Sequence, residues 1–328
     1  MAGPVVRWGN APMADNIRLG ILGAGPIAAL HTAAFREVEG IDLTLAISRT
    51  TAAAERFAAE QSIPRSTTIA DLLERGAEAT GIDAVLVVVP AIHMARIAAD
   101  MASLGVPLLL EKPVGMSLAE TEDAANRITV PHMVGLNRRF YDVIRRGREA
   151  IDAAGGARFI EIHMPEDIRA LADRYGEETL NAWAFGNSVH LVDLFRVFAG
   201  ETSGVRTNNE VRSYWDRSYS GLIDFESGAR GVYNAQWYAP GPWRVTVYGD
   251  GITALFAPIE EGLILRMPGR QREEVKPQGP DTKLKAGFHG QAEAFRDLVR
   301  DGRLPEGAAD MAEYLRSVRL VHELTSGD

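Results

Sequence analysis

Short apolar runs alternate with segments of helical periodicity in the first part of the chain. The third run, AVLVVV at 84–89, has no polar alternation, which is typical of a strand covered on both faces, as in parallel sheets. The alternation of strands and helices predicts a doubly wound parallel sheet in an α/β fold. The predicted strands are 17–22, 41–47, 84–89 and 106–110, and the predicted helices are 26–38, 51–61 and 92–104.

The pattern changes after about residue 140, where strand-like segments follow one another directly. Tight turn sequences such as ESG and GDG lie between them. Several strands in succession with such connections predict a largely antiparallel sheet. The predicted strands are 157–164, 221–225, 230–237 and 244–248, with helices at 187–198, 290–302 and 308–325 and a surface loop at 276–287.

Two domains are expected, because a domain has about 150 residues and the chain has 328. The first is expected at 17–136 and the second at 137–328. Packing of the C-terminal helices back on the first domain is left open. Residues 1–16 are rich in turn-forming residues and are expected to be a flexible extension.

The composition limits the kinds of molecule that the protein is expected to bind. A net charge of −9 argues against nucleic acid or an anionic membrane, since both favour a basic surface. The absence of cysteine excludes disulfides and thiol nucleophiles, and no spacing of His, Asp and Glu resembles a metal site. No apolar run approaches the roughly 20 residues that cross a bilayer, so a cytoplasmic protein without membrane contact is expected.

A glycine turn joins the first strand to the first helix. In the sequence GAGPIA, Gly23 permits the tight turn, and Gly25 removes the Cβ that would keep a diphosphate from the backbone. The small Ala28 lets helix and strand pack closely, while the helix N-terminus, at Pro26 and Ile27, offers N–H donors to an anion. The context favours a dinucleotide site over a turn that serves only the fold.

The end of the second strand indicates which dinucleotide is bound. NAD-preferring sites usually place an acid there for the ribose hydroxyls, but the chain has Ser48, Arg49 and Thr50, and Asp42 lies at the opposite end. Two hydroxyls and a guanidinium can hold a 2′-phosphate. NADP(H) is therefore the expected cofactor. NAD(H) is the alternative, which applies if Arg49 is solvated or stacks on the adenine.

Glu111, Lys112 and Pro113 follow a predicted strand, at the edge where open α/β sheets bind ligands. A lysine at a hydride-transfer centre can stabilise negative charge on the substrate oxygen, and a desolvated lysine can exchange a proton. The alternative is a surface lysine in a salt bridge.

His190 and Asp193 are three residues apart and share one helix face. Asn187 or Ser188 is expected to cap this helix, which places His190 in the first turn, where the positive helix end disfavours imidazolium. A neutral histidine can take the proton of a hydroxyl group or return it to a ketone. The alternative is a histidine that satisfies a buried hydrogen bond.

Taken together, these motifs resemble the glucose–fructose oxidoreductase/inositol dehydrogenase (Gfo/Idh/MocA-type) family. The resemblance implies a nicotinamide-binding domain followed by an α/β domain with an open sheet that carries the substrate and often mediates oligomerisation. The implied reaction is hydride transfer at a secondary alcohol or ketone of a sugar or cyclitol. The motifs are GILGAGPIAALH (20–31), VVVPAIHMARIAADMASLGVPLLLEKPVGMSLAE (87–120), GLNRRF (135–140), NSVHLVDLFRVFAG (187–200) and DFESGARG (224–231).

The resemblance also implies residue roles. Lys112 and His190 become catalytic candidates, while Glu111 is expected at the nicotinamide ribose. One departure weakens a dehydrogenation reading: many relatives carry D-x-G-x-H, and this chain has Gly186 in place of the aspartate. Pro90 and His93 are expected near the cofactor, and Asn187, Asp193 and Arg139 near the substrate, with a salt bridge as the alternative for Arg139.

The sequence therefore predicts an NADP(H)-dependent oxidoreductase for a sugar or sugar derivative, and more specifically a reductase of keto-sugars, including nucleotide-linked ones. An NAD-dependent sugar or cyclitol dehydrogenase is the alternative enzyme, together with a glycosidase that uses NAD transiently. A cofactor-binding regulator without turnover is the alternative from another class. A homodimer or homotetramer is expected, since soluble oligomers are commonly closed and symmetric.

Overall fold

The computed structural model describes residues 16–269 and 271–326. The extension expected at 1–16 lies, apart from its last residue, outside the described residues. The chain forms two compact units. The first contains residues 16–114, Asp123–Gly135 and Phe288–Met311, and the second contains Gly115–Glu122, Leu136–Gly287 and residues 312–326.

The first unit is built on a six-stranded sheet with the strand order β3-β2-β1-β4-β5-β6. All of its strand pairs are parallel, which confirms the predicted doubly wound sheet. The strands are β1 (Ile17–Leu22), β2 (Ile41–Ser48), β3 (Ser66–Thr68), β4 (Ala84–Val87), β5 (Leu108–Leu110) and β6 (His132–Val134). The α-helices that lie between β1 and β6 in the sequence are α1 (Pro26–Arg36), α2 (Thr51–Glu60), α3 (Ile69–Thr80), α4 (Ala91–Ala102) and α5 (Leu118–Arg127).

The central strands of this sheet are covered on both faces, as their unbroken apolar runs predict. All four residues of β4 and all three of β5 are buried. Fully burying a side chain such as Leu or Val contributes about 1.5–3 kcal/mol, so these runs fix β1, β4 and β5 at the centre. The ends of β1 and β4 then border the cavity described below.

Four elements, β3, α3, α5 and β6, are not among the predicted strands and helices. β3 has only three residues, Ser-Thr-Thr, and none of them is apolar. In α3 the helical backbone is interrupted at Gly76, which has a φ of 77°.

The second unit contains a nine-stranded sheet with the order β15-β14-β13-β12-β7-β11-β10-β8, and β9 pairs with β10. Only the β7–β11 pair is parallel, so the prediction of a largely antiparallel sheet is confirmed. The strands are β7 (Phe159–Pro165), β8 (Thr202–Thr207), β9 (Glu210–Val211), β10 (Arg217–Phe225), β11 (Arg230–Gln236), β12 (Arg244–Gly249), β13 (Ile252–Phe256), β14 (Gly262–Arg266) and β15 (Gln271–Val275).

One face of this sheet is buried under helices. Along β7, Ile160 and Ile162 are buried, whereas Glu161 and His163 between them are half-buried, as the alternation of side chains along a strand requires. The remaining helices are α6 (Asp142–Ala153), α7 (Glu177–Asn181), α8 (Val189–Ala199), α9 (Phe288–Asp301) and α10 (Met311–Thr325). Among the described helices, none has both the length and the apolar character needed to cross a bilayer.

Candidate active site

The turn between β1 and α1 requires glycine at its first position. Gly23 has a φ of +132°, and a Cβ placed on it would lie 2.0 Å from the carbonyl oxygen of Val88. Its N–H donates to the carbonyl of Ile47 at 2.9 Å. Because both the backbone angle and the close approach exclude a side chain, the protein's own packing accounts for this glycine.

Gly25 differs from Gly23. Its φ of −101° is open to any residue, and a Cβ there would meet nothing within 4 Å. The protein's own packing therefore does not require glycine at this position. It directly precedes Pro26, the first residue of α1, where the N–H groups of the first turn have no partner within the helix. Open space beside a helix N-terminus fits the diphosphate of a dinucleotide.

A cavity of about 890 Å³ opens beside this turn, which is within the usual range for ligand pockets. It lies wholly within the first unit. Of the predicted cofactor residues, its walls include Gly23, Gly25, Pro26, Ile27, Ser48, Arg49, Pro90 and His93. Thr50 is not among the wall residues described: its hydroxyl accepts a hydrogen bond from the N–H of Ala53 at 3.4 Å and caps α2.

The cavity wall also has contributors that the sequence did not indicate. Leu73 of α3 and Arg96 and Asp100 of α4 belong to it. Arg96 donates to Asp100 at 3.0 Å, so the carboxylate of Asp100 already has a cationic partner. These residues come from helices whose positions around the sheet become visible only in three dimensions.

Glu111 follows β5 directly and is 7% exposed. Its Oε2 accepts the N–H of Lys112 at 2.5 Å, and its Oε1 lies 3.3 Å from Nε2 of His31. The His31 ring stacks on Phe288, with ring centroids 4.1 Å apart. Both carboxylate oxygens of Glu111 therefore have partners within the first unit, and the ribose contact expected for it stays a prediction.

Lys112 is half-buried, and its peptide bond to Pro113 is cis. It stands at the carboxyl edge of the parallel sheet, directly after β5, which is where ligands bind in open α/β sheets. The backbone hydrogen bond to Glu111 fixes the main chain from which its side chain projects.

The capping prediction for α8 is wrong. A π-helical turn at Ala184–Ser188 runs straight into α8. Ser188 has helical backbone angles, φ −64° and ψ −27°, and its side chain makes no capping bond. His190, which is 3% exposed, therefore follows earlier helical backbone rather than a free helix end, and the argument from a positive helix end at this histidine fails.

Asn187, the other predicted cap, instead donates its side-chain amide to Oε1 of Glu166 at 2.6 Å. Glu166 lies just after β7 and is 9% exposed. Its Oε2 also accepts a hydrogen bond from Nε1 of Trp183. Sequence reasoning missed this glutamate; the available signal was an acidic residue directly after a strand that precedes a long connection.

Asp193 and Arg139, both expected near the substrate, pair with each other. Arg139 donates through Nε and Nη2 to the two oxygens of Asp193, each at 2.7 Å. The hydroxyl of Ser317 donates to the same carboxylate at 2.6 Å. The carboxyl group of Asp193 is thus held by a two-point ion pair, and its side chain is 1% exposed.

Near Glu166, Tyr233 is completely buried, and this burial raises its pKa, with the negative charge of Glu166 acting in the same direction. The tyrosine is therefore neutral. Within residues 16–269 and 271–326, no group of three or more His, Asp or Glu side chains is placed to hold a metal ion.

Comparison with known proteins agrees with this geometry. Residues 17–130 match the model of GFO_IDH_MocA, an oxidoreductase family with an NAD-binding Rossmann fold. The rhizopine catabolism protein MocA of Rhizobium meliloti is 32% identical over 139 residues, which cover 42% of this chain and 42% of MocA. The matched part therefore spans less than half of that curated relative.

Solved structures show the same fold over nearly the whole chain. A dehydrogenase from Chromobacterium violaceum superposes with a TM-score of 0.80 at 22% identity, covering 95% of each chain. Levoglucosan dehydrogenase, in complex with NADH and levoglucosan, superposes with a TM-score of 0.78 at 17% identity, covering 94% of this chain and 96% of its own. Residues 17–130 are therefore similar to the NAD-binding Rossmann domain of this oxidoreductase family, and the chain has the fold of these solved structures.

Proposed function

We propose that this protein is an NADP(H)-dependent oxidoreductase that reduces the carbonyl of a keto-sugar or related sugar derivative. The observation that carries the proposal is the open space at Gly25, beside a helix N-terminus and a cavity of about 890 Å³. A residue without a side chain, at a place where the protein itself has room for one, supports close approach by a ligand. The family match supports a nicotinamide dinucleotide as that ligand.

The residues that border the cavity are of the kinds that would hold this cofactor. The turn from Gly23 to Ile27 would hold the diphosphate through its main chain, and Ser48 with Arg49 would hold the phosphate of the adenosine ribose. Both segments border the same cavity. When bound, the reduced nicotinamide supplies the hydride, which adds to the carbonyl carbon as the cofactor becomes oxidised.

Lys112 is proposed as the group that acts on the substrate oxygen. An ammonium at hydrogen-bonding distance from a carbonyl favours the negative charge that develops there as the carbon is reduced. The main-chain N–H of Lys112 donates to the carboxylate of Glu111, which holds the backbone from which the lysine side chain projects. His190 is proposed to transfer the proton that completes the alcohol, from its buried place on α8.

Two observations support a second enzyme activity as the alternative. Levoglucosan dehydrogenase, a structural neighbour, is in complex with NADH, and Asp100 supplies a carboxylate to the cavity wall. An NAD-dependent dehydrogenase of a sugar or cyclitol is therefore the alternative. The pairing of Asp100 with Arg96 favours the NADP(H) proposal, because a carboxylate already held by an arginine is a poorer acceptor for ribose hydroxyls.

The proposal includes self-association through the second unit. Leu222 is 51% exposed and Tyr248 is 36% exposed. Leu222 pairs across the sheet with Val232, so this part of the face away from the helices is apolar. A homodimer or homotetramer that covers this face is expected, and light scattering of Leu222→Asp should show a smaller species than the wild type.

The test of function is a substrate panel. Purified protein is incubated with NADPH or NADH and a series of keto-sugars, free and nucleotide-linked, and nicotinamide absorbance is followed. Consumption of NADPH with at least one member, at a higher kcat/KM than with NADH, is expected. Faster turnover with NADH would favour the dehydrogenase, and tight cofactor binding without turnover of any member would favour a regulator.

A further inference from the structure

His31 is a buried histidine of α1 to which the proposed function assigns no role. It is 1% exposed, and its ring stacks on Phe288 of α9, with the centroids 4.1 Å and the planes 20° apart. Four residues later on α1, Phe35 contacts Phe295 of α9 edge to face at 6.2 Å. Because α9 starts the part of the first unit that comes late in the chain, two aromatic contacts with it fix the position of the imidazole.

The two nitrogens of this imidazole have different surroundings. Nε2 lies 3.3 Å from Oε1 of Glu111, and a carboxylate oxygen only accepts hydrogen bonds. Nδ1 is buried and has no hydrogen-bond partner in the part of the chain that the structure describes. A buried N–H without an acceptor is costly, so the geometry places the ring hydrogen on Nε2, from which it is donated to Glu111.

The carboxylate of Glu111 depends on this donor. Among residues 16–269 and 271–326, it accepts hydrogen bonds from two groups, Nε2 of His31 and the main-chain N–H of Lys112, the latter at 2.5 Å. The bond to Lys112 joins adjacent residues, so it forms only while the glutamate side chain keeps one conformation. A buried carboxylate oxygen that loses its donor turns towards water, and this conformation is then lost.

We infer that His31 is a positioning residue for Lys112. It holds the carboxylate of Glu111, which in turn holds the main chain at the residue proposed to act on the substrate oxygen. The inference rests on the proposed function for its effect on catalysis. Its effect on the Lys112 N–H is a property of the folded protein and needs no substrate.

Two substitutions of His31 separate the hydrogen bond from the packing of the ring. In His31→Gln, the side-chain amide reaches about as far as Nε2 and can still donate to Glu111. In His31→Asn, the amide reaches only as far as Nδ1, on the side that has no partner. Both variants lose the ring that stacks on Phe288, so a difference between them reports the donor.

The test is NMR of the full-length protein labelled with ¹⁵N-lysine. The chain has four lysines, so four main-chain signals are expected, and Lys112→Arg identifies the one from Lys112. In His31→Asn, this N–H is expected to move upfield and to exchange with solvent about tenfold faster. In His31→Gln, both quantities should stay close to the wild type.

The control is His322→Asn, which changes an exposed histidine of α10 and should leave the Lys112 signal unchanged. An unchanged Lys112 signal in a folded His31→Asn protein overturns the inference. A change in His31→Gln as large as in His31→Asn also overturns it, because loss of the stacked ring then explains the effect.

Kinetics give the second readout. With a substrate found in the panel, His31→Asn is expected to lower kcat about tenfold, and His31→Gln is expected to restore most of it. A shifted Lys112 signal with normal kcat, or in a protein that turns over no sugar, supports the inference and contradicts the proposed function instead.

The wild-type protein decides if His31→Asn does not fold. With ¹⁵N-labelled histidine, the ring nitrogen shifts report which nitrogen carries the hydrogen. Phe288→Leu removes the stacked ring and identifies the His31 signals by the loss of its ring current. Hydrogen on Nε2 and a bare Nδ1 support the inference. Hydrogen on Nδ1 alone overturns it, because Nε2 then has nothing to donate to Glu111.

Discussion

The two units hold their candidate functional groups in different ways. In the first, backbone and residues directly after parallel strands form much of the cavity wall, and the glycine turn is only a few residues long. In the second, side chains distant in sequence meet through buried hydrogen bonds, as Arg139, Asp193 and Ser317 do. The first kind of site can be recognised from a local sequence motif. The second kind depends on side-chain pairs that only the fold brings together.

The largest effect should come from breaking a side-chain pair in the second unit. Arg139→Leu leaves the carboxylate of Asp193, which is 1% exposed, without its two-point partner. Removing one member of a buried ion pair costs about 3–5 kcal/mol, and urea unfolding should show a loss of this size.

An exposed pair in the same unit provides the control. Arg158 and Asp250 are 3.2 Å apart, and both side chains are 69% exposed. Surface pairs contribute about 0–1 kcal/mol, so Arg158→Leu should unfold close to the wild type. Equal losses in the two variants would refute the claim that burial makes the Arg139–Asp193 pair structural.

The second prediction compares one candidate catalytic group from each unit. Lys112→Met and His190→Ala are each expected to lower kcat by about 10²-fold or more, with the affinity for NADPH retained. Steady-state kinetics and cofactor titration measure both quantities. Lys285→Met and His322→Ala change exposed residues of the same types and should match the wild type. Normal turnover in either Lys112→Met or His190→Ala would show that the chemistry has been assigned to the wrong residue.

The same contrast explains what could be read from the sequence. The parallel sheet, the antiparallel sheet and the glycine turn follow from short-range patterns, namely apolar runs, tight turns and glycine spacing, and the structure has them. The pairing of Glu166 with Asn187 joins residues whose sequence spacing carries no signal. The cap expected for α8 failed for a related reason, since Asn187 bonds to Glu166 rather than to its own helix.

The third prediction separates the two glycines of the turn. Gly23→Ala should lose more than about 1 kcal/mol of stability, because its φ of +132° is strained for alanine and the new Cβ meets the carbonyl of Val88. Gly25→Ala should fold normally but bind NADPH about tenfold or more weakly, since only the ligand needs that space. Urea unfolding and cofactor titration measure these effects. Unchanged affinity in Gly25→Ala would show that no diphosphate approaches the backbone there.

The last prediction concerns the choice of cofactor, because its effect should be confined to one of the two dinucleotides. Arg49 borders the cavity directly after β2, and a hydrogen bond to a charged group contributes about 1.5–3 kcal/mol. Arg49→Ala should therefore weaken NADP⁺ binding by about ten- to a hundredfold and leave NAD⁺ binding nearly unchanged, as calorimetry can measure. Arg56→Ala, on the exposed side of α2 where Arg56 pairs with Glu60, is the control. An equal loss for both cofactors would mean that Arg49 stacks on the adenine, and the preference for NADP(H) would then lose its structural basis.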